Sequence, residues 1–315
     1  MPFHLAQLLG LLLGLLFGSF LNVCIARVPK GESVARPGSH CMACGHTVRW
    51  FDNIPLLSWI ALRARCRDCH TNITWRYPAV ELAVGLWFAY AGGMLWRVWQ
   101  DYAPAAGGLH ATLDQSFLAT ADVVGFAALG FLLIGLIVID WQTQRLPDVF
   151  TWGGMAFAFF LLCVQAVFLG PTQDQVVLNS SHQFHLSSPG SSAATGNIFL
   201  TGPESLIFGH LAAACGAALV LLLVRWAYRA VRKRDGLGLG DVKMLAMIAA
   251  FLGFWPALLT LFLGVLLASV YGTALLIRGR ANALTRLPLG SFLGAAGLFA
   301  AIYGERVFHW YFSLF

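Results

Sequence analysis

The chain has 315 residues, of which 58% are hydrophobic and only 11% charged, and its mean hydropathy is +0.73. Soluble domains of this size carry about 25% charged residues, so the composition excludes an ordinary soluble globular protein. The net charge of +6 does not point to nucleic acid, because the basic residues of membrane proteins gather in cytoplasmic loops beside anionic lipid.

About eight apolar segments predict an all-α multi-pass membrane protein: 5–27, 78–98, 118–140, 149–169, 205–227, 241–254, 256–277 and 288–308. The first is read as a spanning helix rather than a signal peptide. No Lys or Arg precedes it and no small-residue cleavage site follows it. Arg27 and Lys30 come after it, which puts the N-terminus outside and the next loop in the cytoplasm. Gly10, Gly14 and Gly18 recur every four residues and predict a face for close helix packing. Ser19 and Asn22 extend the polar side of that helix, with Asn22 read as an interhelical hydrogen-bonder.

Residues 28–77 form a basic loop containing Cys41-Met42-Ala43-Cys44 and Cys66-Arg67-Asp68-Cys69. Two CxxC pairs at this separation predict a four-thiolate zinc site, in which each pair supplies two corners of a tetrahedron. Two disulfides are the rival, disfavoured in a reducing cytosol. Four thiolates leave no open position for a catalytic water, so the expected role is to staple a loop too small for a substantial core. Cys24, Cys163 and Cys215 lie in apolar segments and are read as packing residues. The chain thus divides into a first helix (1–27), a four-cysteine zinc loop (28–77) and a seven-helix membrane domain (78–315). It shows no convincing internal repeat.

Further along, basic residues fall in the loops around Arg145, Arg225–Arg234 and Arg278–Arg286, and none falls between Arg145 and Arg225. With eight helices, both termini are outside and these loops are cytoplasmic. The polar stretch 170–204 lies outside and its His182 and His185 are read as loop histidines rather than metal ligands; the 99–117 loop carries no signal. Gly253 and Pro256 mark the turn between the sixth and seventh segments.

Two carboxylates stand at segment ends on the cytoplasmic side: Asp140 after Leu136-Ile137-Val138-Ile139, and Asp241 after Gly238-Leu239-Gly240. A carboxylate at membrane depth is costly and needs a reason. Two close ones share a proton, so the ionised member can activate water while the protonated member polarises a scissile carbonyl. Gly238 and Gly240 are expected to let the backbone approach substrate and adopt positive φ. The competing reading makes Asp241 an N-cap of the sixth helix. Asp140, at a helix C-terminus, meets the dipole unfavourably, so capping does not explain it. Asp148 is read as the N-cap of the fourth helix, and Lys243 as a side chain reaching toward the surface. On residues alone, catalysis and helix-end exposure stay evenly balanced.

The chain resembles the type IV prepilin peptidases, bifunctional leader peptidases and N-methyltransferases, over nearly its whole length. The resemblance rests on Gly18-Ser19-Phe20-Leu21-Asn22-Val23 with Arg27-Val28-Pro29. It continues through Arg36, the four cysteines, Arg49–Pro55 and Trp75-Arg76-Tyr77-Pro78, then Ile139-Asp140 with Leu146-Pro147-Asp148, and Gly238–Lys243. It implies cleavage of the basic leaders of prepilins and pseudopilins at the cytoplasmic face of the inner membrane, then methylation of the new N-terminal residue with S-adenosylmethionine. It gives Asp140 and Asp241 the catalytic roles. Gln142 stands where many relatives carry a second acid, and Ser291 where relatives often have proline.

The methyl donor has no Gly-rich nucleotide fingerprint to receive it. Its place is expected in a membrane-proximal pocket beside the cysteine loop, with Glu81 and Arg76 as candidate lining residues. Because leader and loops are both basic, the hydrophobic helix behind the leader must supply much of the recognition. Two alternatives remain at this level: an intramembrane aspartyl protease without methyl transfer, and a non-catalytic assembly factor that docks through its zinc loop.

Overall fold

The computed structural model describes residues 2–101, 109–173, 177–178, 184–185, 204–233, 238–279 and 287–314. Among these, the eight expected segments are all helical: α1 (Phe3–Arg27), α3 (Arg76–Asp101), α4 (Leu109–Thr143), α5 (Asp148–Gln173), α6 (Glu204–Arg232), α7 (Leu239–Leu252), α8 (Phe254–Ile277) and α9 (Leu289–Phe312). A short α2 (Leu57–Ala61) inside the cysteine loop has no counterpart in the expected elements. The polar stretch contains a two-residue antiparallel ladder, β1 (Val177–Leu178) with β2 (Phe184–His185). His182 lies outside the described residues.

Among the described residues, six helices are long and apolar enough to cross a bilayer, and α9 contributes a shorter apolar stretch, Leu289–Gly304. The 25 residues of α1 rise about 37 Å, more than a hydrocarbon core of about 30 Å. The 14 residues of α7 rise only about 21 Å. The sixth segment is therefore not a full span but a short helix held within the bundle. Its Met244, Leu245, Met247 and Ile248 are completely buried, so from Met244 onward every face of it is apolar for a packing reason. Gly253, at φ 84°, ends α7 with a conformation that favours glycine, and Pro256 sits in the first turn of α8.

The bundle is centred on α4, whose apolar stretch is 56% buried against 17–39% for the other spans. Its Leu129, Leu133, Leu136 and Ile139 are fully enclosed. The glycine face of α1 does pack closely, against α3. A Cβ on Gly14 would come within 2.6 Å of the Val84 carbonyl, and one on Gly18 within 2.7 Å of Glu81 Cα. The amide of Asn22 crosses to the same helix, donating to the Tyr77 carbonyl at 3.0 Å.

A second small-residue face, absent from the sequence expectations, matters more for the site. Gly294 and Gly297 of α9 sit between α4 and α7, facing Ile137 and Leu133 on one side and Met244 and Ile248 on the other. A larger residue at either position would wedge the two aspartate-bearing helices apart.

Candidate active site

Asp140 occupies the last turns of α4, only 4% exposed. Its Oδ2 accepts two hydrogen bonds from Ser291, from the backbone N–H at 2.7 Å and the hydroxyl at 3.1 Å. The Ser291 hydroxyl is also 3.0 Å from the Ile137 carbonyl, so one proton serves two acceptors. These bonds form because Gly290 allows the start of α9 to lie directly on the carboxylate. A Cβ there would come within 3.0 Å of Asp140 Cγ.

Asp241 is not the N-cap of α7, which was one of the two expectations for it. That position belongs to Gly238, and Asp241 stands three residues on, in the first turn. Its carboxylate takes a hydrogen bond from the Gly238 backbone N–H, the half of a capping box in which the third helical residue reaches back. Its charge also faces the positive end of the helix dipole. Asp241 thus caps the helix in a different way from that expected, and capping and a chemical role are compatible. The Asp140 carboxylate is near enough to act on Asp241 electrostatically.

The two glycines of this motif do not adopt the positive φ expected of them. Gly238 is extended, at φ −74° and ψ 144°, and Gly240 is helical. Their value is space. A Cβ on Gly240 would lie 3.0 Å from Leu146 Cβ, and one on Gly238 3.3 Å from Asp241 Oδ2. Leu146 is the common neighbour of Gly240 and Gly290, so the loop after α4 locks α7 and α9 around the aspartates. Trp141, Tyr271 and Phe292 pack together beside the site, with ring centroids 5.4–6.4 Å apart. Asp148 is the first residue of α5 rather than its expected N-cap, and its side chain pairs at 2.7 Å with the half-exposed Lys243 in the first turns of α7.

In the sequence Ser291 stands out only as a departure from proline. The structure makes it the direct partner of Asp140. Ser291→Ala keeps the backbone N–H and loses the hydroxyl bond, worth about 1.5 kcal/mol to a charged acceptor. The expected result is a fall in leader-cleavage kcat/KM of about tenfold, measured on protein with unchanged expression. An unchanged kcat/KM would show that the hydroxyl does not position Asp140.

The cysteine loop is built from two matching knuckles, a local repeat hidden by different intervening residues. Cys41 N–H donates to His46 O at 2.9 Å and Gly45 N–H to Cys41 O at 2.9 Å; Cys66 N–H donates to Thr71 O at 2.8 Å and His70 N–H to Cys66 O at 3.1 Å. Each knuckle closes through a left-handed residue, Gly45 at φ 75° and His70 at φ 57°. Short bridges, His40 to Thr47 and Arg65 to Asn72, flank them. The four sulfurs lie within 4.8 Å of one another, and Cys41 Sγ and Cys69 Sγ are 3.8 Å apart. Four thiolates about 2.3 Å from one zinc ion have S–S edges of roughly 3.8 Å, so the set fits a tetrahedral metal. None of the four is in a disulfide. Arg67, between the two cysteines of the second knuckle, forks onto Asp52 at 2.6 and 2.8 Å. Its guanidinium holds the Asp52 carboxyl below the usual carboxylate range.

The two candidates for the methyl-donor pocket part company. Glu81 is buried, and its Oε2 accepts the Leu56 N–H at 2.8 Å, beneath the cysteine loop. Arg76 instead donates to Gln142 Oε1 at 2.8 Å and lies over the Tyr77 ring. It therefore joins the start of α3 to the end of α4, two residues past Asp140. The cysteine loop and both aspartates consequently share one end of the bundle.

Comparison with known proteins agrees with this layout. The Bacterial Peptidase A24 N-terminal domain profile matches residues 12–95, covering the later part of α1 and the four-cysteine loop. The Type IV leader peptidase family profile matches residues 190–273, including Gly238, Gly240 and Asp241. Asp140 falls between the two matched stretches. A prepilin leader peptidase/N-methyltransferase of Stutzerimonas stutzeri is 31% identical over 95% of the chain and 91% of its own length. A protein of the same description from Dickeya chrysanthemi is 34% identical over 91% of the chain and 89% of its length. One from Pseudomonas aeruginosa is 30% identical over 94% and 90%. No solved structure matches the chain.

Proposed function

Because the chain belongs to the type IV leader peptidase family, we propose that it cleaves prepilin and pseudopilin leaders with Asp140 and Asp241, and then N-methylates the new N-terminus. It is a multi-pass inner-membrane protein. The positive charge of the loops that follow α1, α4, α6 and α8 supports a cytoplasmic position for the shared end of the bundle. The observation that carries the reading is the convergence of a buried aspartate from α4 and a half-buried one from α7, with α9 laid over the first.

In the peptidase step, the ionised carboxylate takes a proton from water as the oxygen attacks the scissile carbonyl. The protonated carboxyl gives its proton to the carbonyl oxygen. Collapse of the tetrahedral intermediate breaks the C–N bond, and the amine of the mature pilin leaves with a proton. Ser291 holds Asp140 in place throughout, and the Gly238 N–H holds Asp241.

Zinc fits the four cysteines, which would hold it as a structural ion that stiffens residues 28–77 and supplies no reacting water. S-adenosylmethionine, when bound, would supply a methyl group to the free-base amine of the mature pilin, with its thioether as the leaving group and the displaced proton released to water. Incubation of prepilin with the purified protein and methyl-labelled S-adenosylmethionine tests the pair of activities. Label in the cleaved pilin is expected. Cleavage without label would favour a peptidase lacking methyl transfer, and neither would leave the assembly-factor reading.

A further inference from the structure

Between the cysteine loop and the ends of α1 and α3 lies a cavity of about 660 Å3, to which Asn22, Arg27, Trp59, Ile73, Tyr77 and Glu81 all contribute. On the reading that this chain transfers a methyl group, we propose that this cavity is the S-adenosylmethionine site, with Asn22 and Glu81 as its polar floor.

The first observation is an orphan. Asn22 is 3% exposed, and its Nδ2 is committed to the Tyr77 carbonyl at 3.0 Å. Its Oδ1 has no hydrogen-bond partner. A buried acceptor left unmade costs about 1–3 kcal/mol, and native folds rarely keep one without purpose. The atom needs a donor, and an adenine amino group or an α-ammonium supplies one.

The second observation is the company it keeps. Glu81 is a buried acid, 9% exposed, one turn into a membrane helix. Such a group is expensive to keep there. Its Oε2 fixes the Leu56 N–H, which holds Leu56 at φ 60° at the start of α2. A carboxylate beside an amide oxygen makes a floor that favours ribose hydroxyls and cationic ammonium or sulfonium groups. Arg27, also buried, is anchored by the Ser33 and Gly38 carbonyls at 3.1 and 3.0 Å and gives the cavity a positive wall for an amino-acid carboxylate. Trp59, fixed by its Nε1 bond to Ile73 O at 3.2 Å, gives it an aromatic one for a purine. A zwitterion carrying a sulfonium and an adenosine presents this same set of groups. The volume falls in the range of roughly 300–1,000 Å3 typical of sites for ligands of that size.

Location supports the same choice. Tyr77 lines the cavity, and the adjacent Arg76 bonds Gln142, two residues beyond Asp140. An amine released at the aspartates therefore meets the cavity on the same end of the bundle. The larger groove of about 1,030 Å3 between α1, α3 and α4 contains no ionisable side chain. It suits lipid chains and offers a charged cofactor nothing.

The test uses full-length protein in lipid nanodiscs. S-adenosylmethionine binding is measured by calorimetry, and methyl-labelled S-adenosylmethionine is crosslinked to the wild type by ultraviolet light and mapped to peptides. Asn22→Ala and Glu81→Gln are each expected to raise Kd by about tenfold or more, with zinc content and melting temperature confirming folded protein. The crosslink is expected within residues 19–81. Crosslinking confined to the helices after α3, or wild-type affinity in both folded variants, overturns the placement and leaves methyl transfer standing. A wild type that cleaves prepilin but neither binds nor crosslinks S-adenosylmethionine overturns methyl transfer itself, and the placement with it.

Discussion

Asp140→Asn is expected to reduce leader cleavage by about 10²–10⁴-fold, the range typical for loss of a general acid or base, while the protein still inserts and folds. The isostere retains an oxygen for the Ser291 N–H and hydroxyl, now at 2.7 and 3.1 Å from Asp140 Oδ2, so the start of α9 keeps its anchor. What it loses is the capacity to exchange a proton. Asp241→Asn carries the same expectation, because its amide oxygen can still accept the Gly238 N–H. If the two act as a unit, the double variant is no worse than either alone. Additive losses would mean separate tasks, and full cleavage by either purified single variant would falsify the shared site.

Cys66→Ser is the second large effect. Apparent binding of structural zinc to four ligands is worth about 10–16 kcal/mol near neutral pH, and the loop has little else to hold it together. No residue of the helical turn Trp50–Asn53 or of α2 is buried. The variant is expected to lose its equivalent of zinc and to become sensitive to protease between residues 28 and 75. Chelation of the wild type under reducing conditions should reproduce both. The Asp52–Arg67 pair cannot compensate. Because the Asp52 pKa is depressed in the fold, its contribution is present above the normal carboxylate pKa and lost as pH falls through the depressed value. Its partner guanidinium is also partly exposed, so water screens it. Wild-type protein purified without zinc and with an intact loop would remove the metal from the account.

Much of this is legible in the chain, for identifiable reasons. Long apolar runs have few ways to fold in a bilayer, and all eight emerge as helices. The cysteine spacing encodes its knuckles locally, so the sulfurs can be grouped before any tertiary information. The glycines of α1 read correctly because a four-residue stripe has one use in a membrane helix. Other features depend on which helix lies beside which. Nothing in Gly290-Ser291 announces that α9 will be set against Asp140, and Gly294 and Gly297 acquire meaning only between α4 and α7. Length alone shows that α7 is too short to span, but its burial on all faces comes from its neighbours. The positive φ expected of Gly238 and Gly240 is not found, for a related reason. Glycine signals either backbone freedom or missing bulk, and only the Leu146 and Asp241 contacts decide for bulk here. Proximity in sequence suggests that Arg76 stands with Glu81, whereas its side chain crosses to Gln142.

The most direct measurement is intact-mass spectrometry of a prepilin after incubation with the purified wild type, with and without S-adenosylmethionine, and with Asp140→Asn in parallel. The expected result is loss of the leader mass in both wild-type samples, gain of one methyl only when the donor is present, and uncut prepilin with the variant. A prepilin left whole by the wild type, or cut equally well by Asp140→Asn, would contradict the assignment of leader cleavage to the paired aspartates.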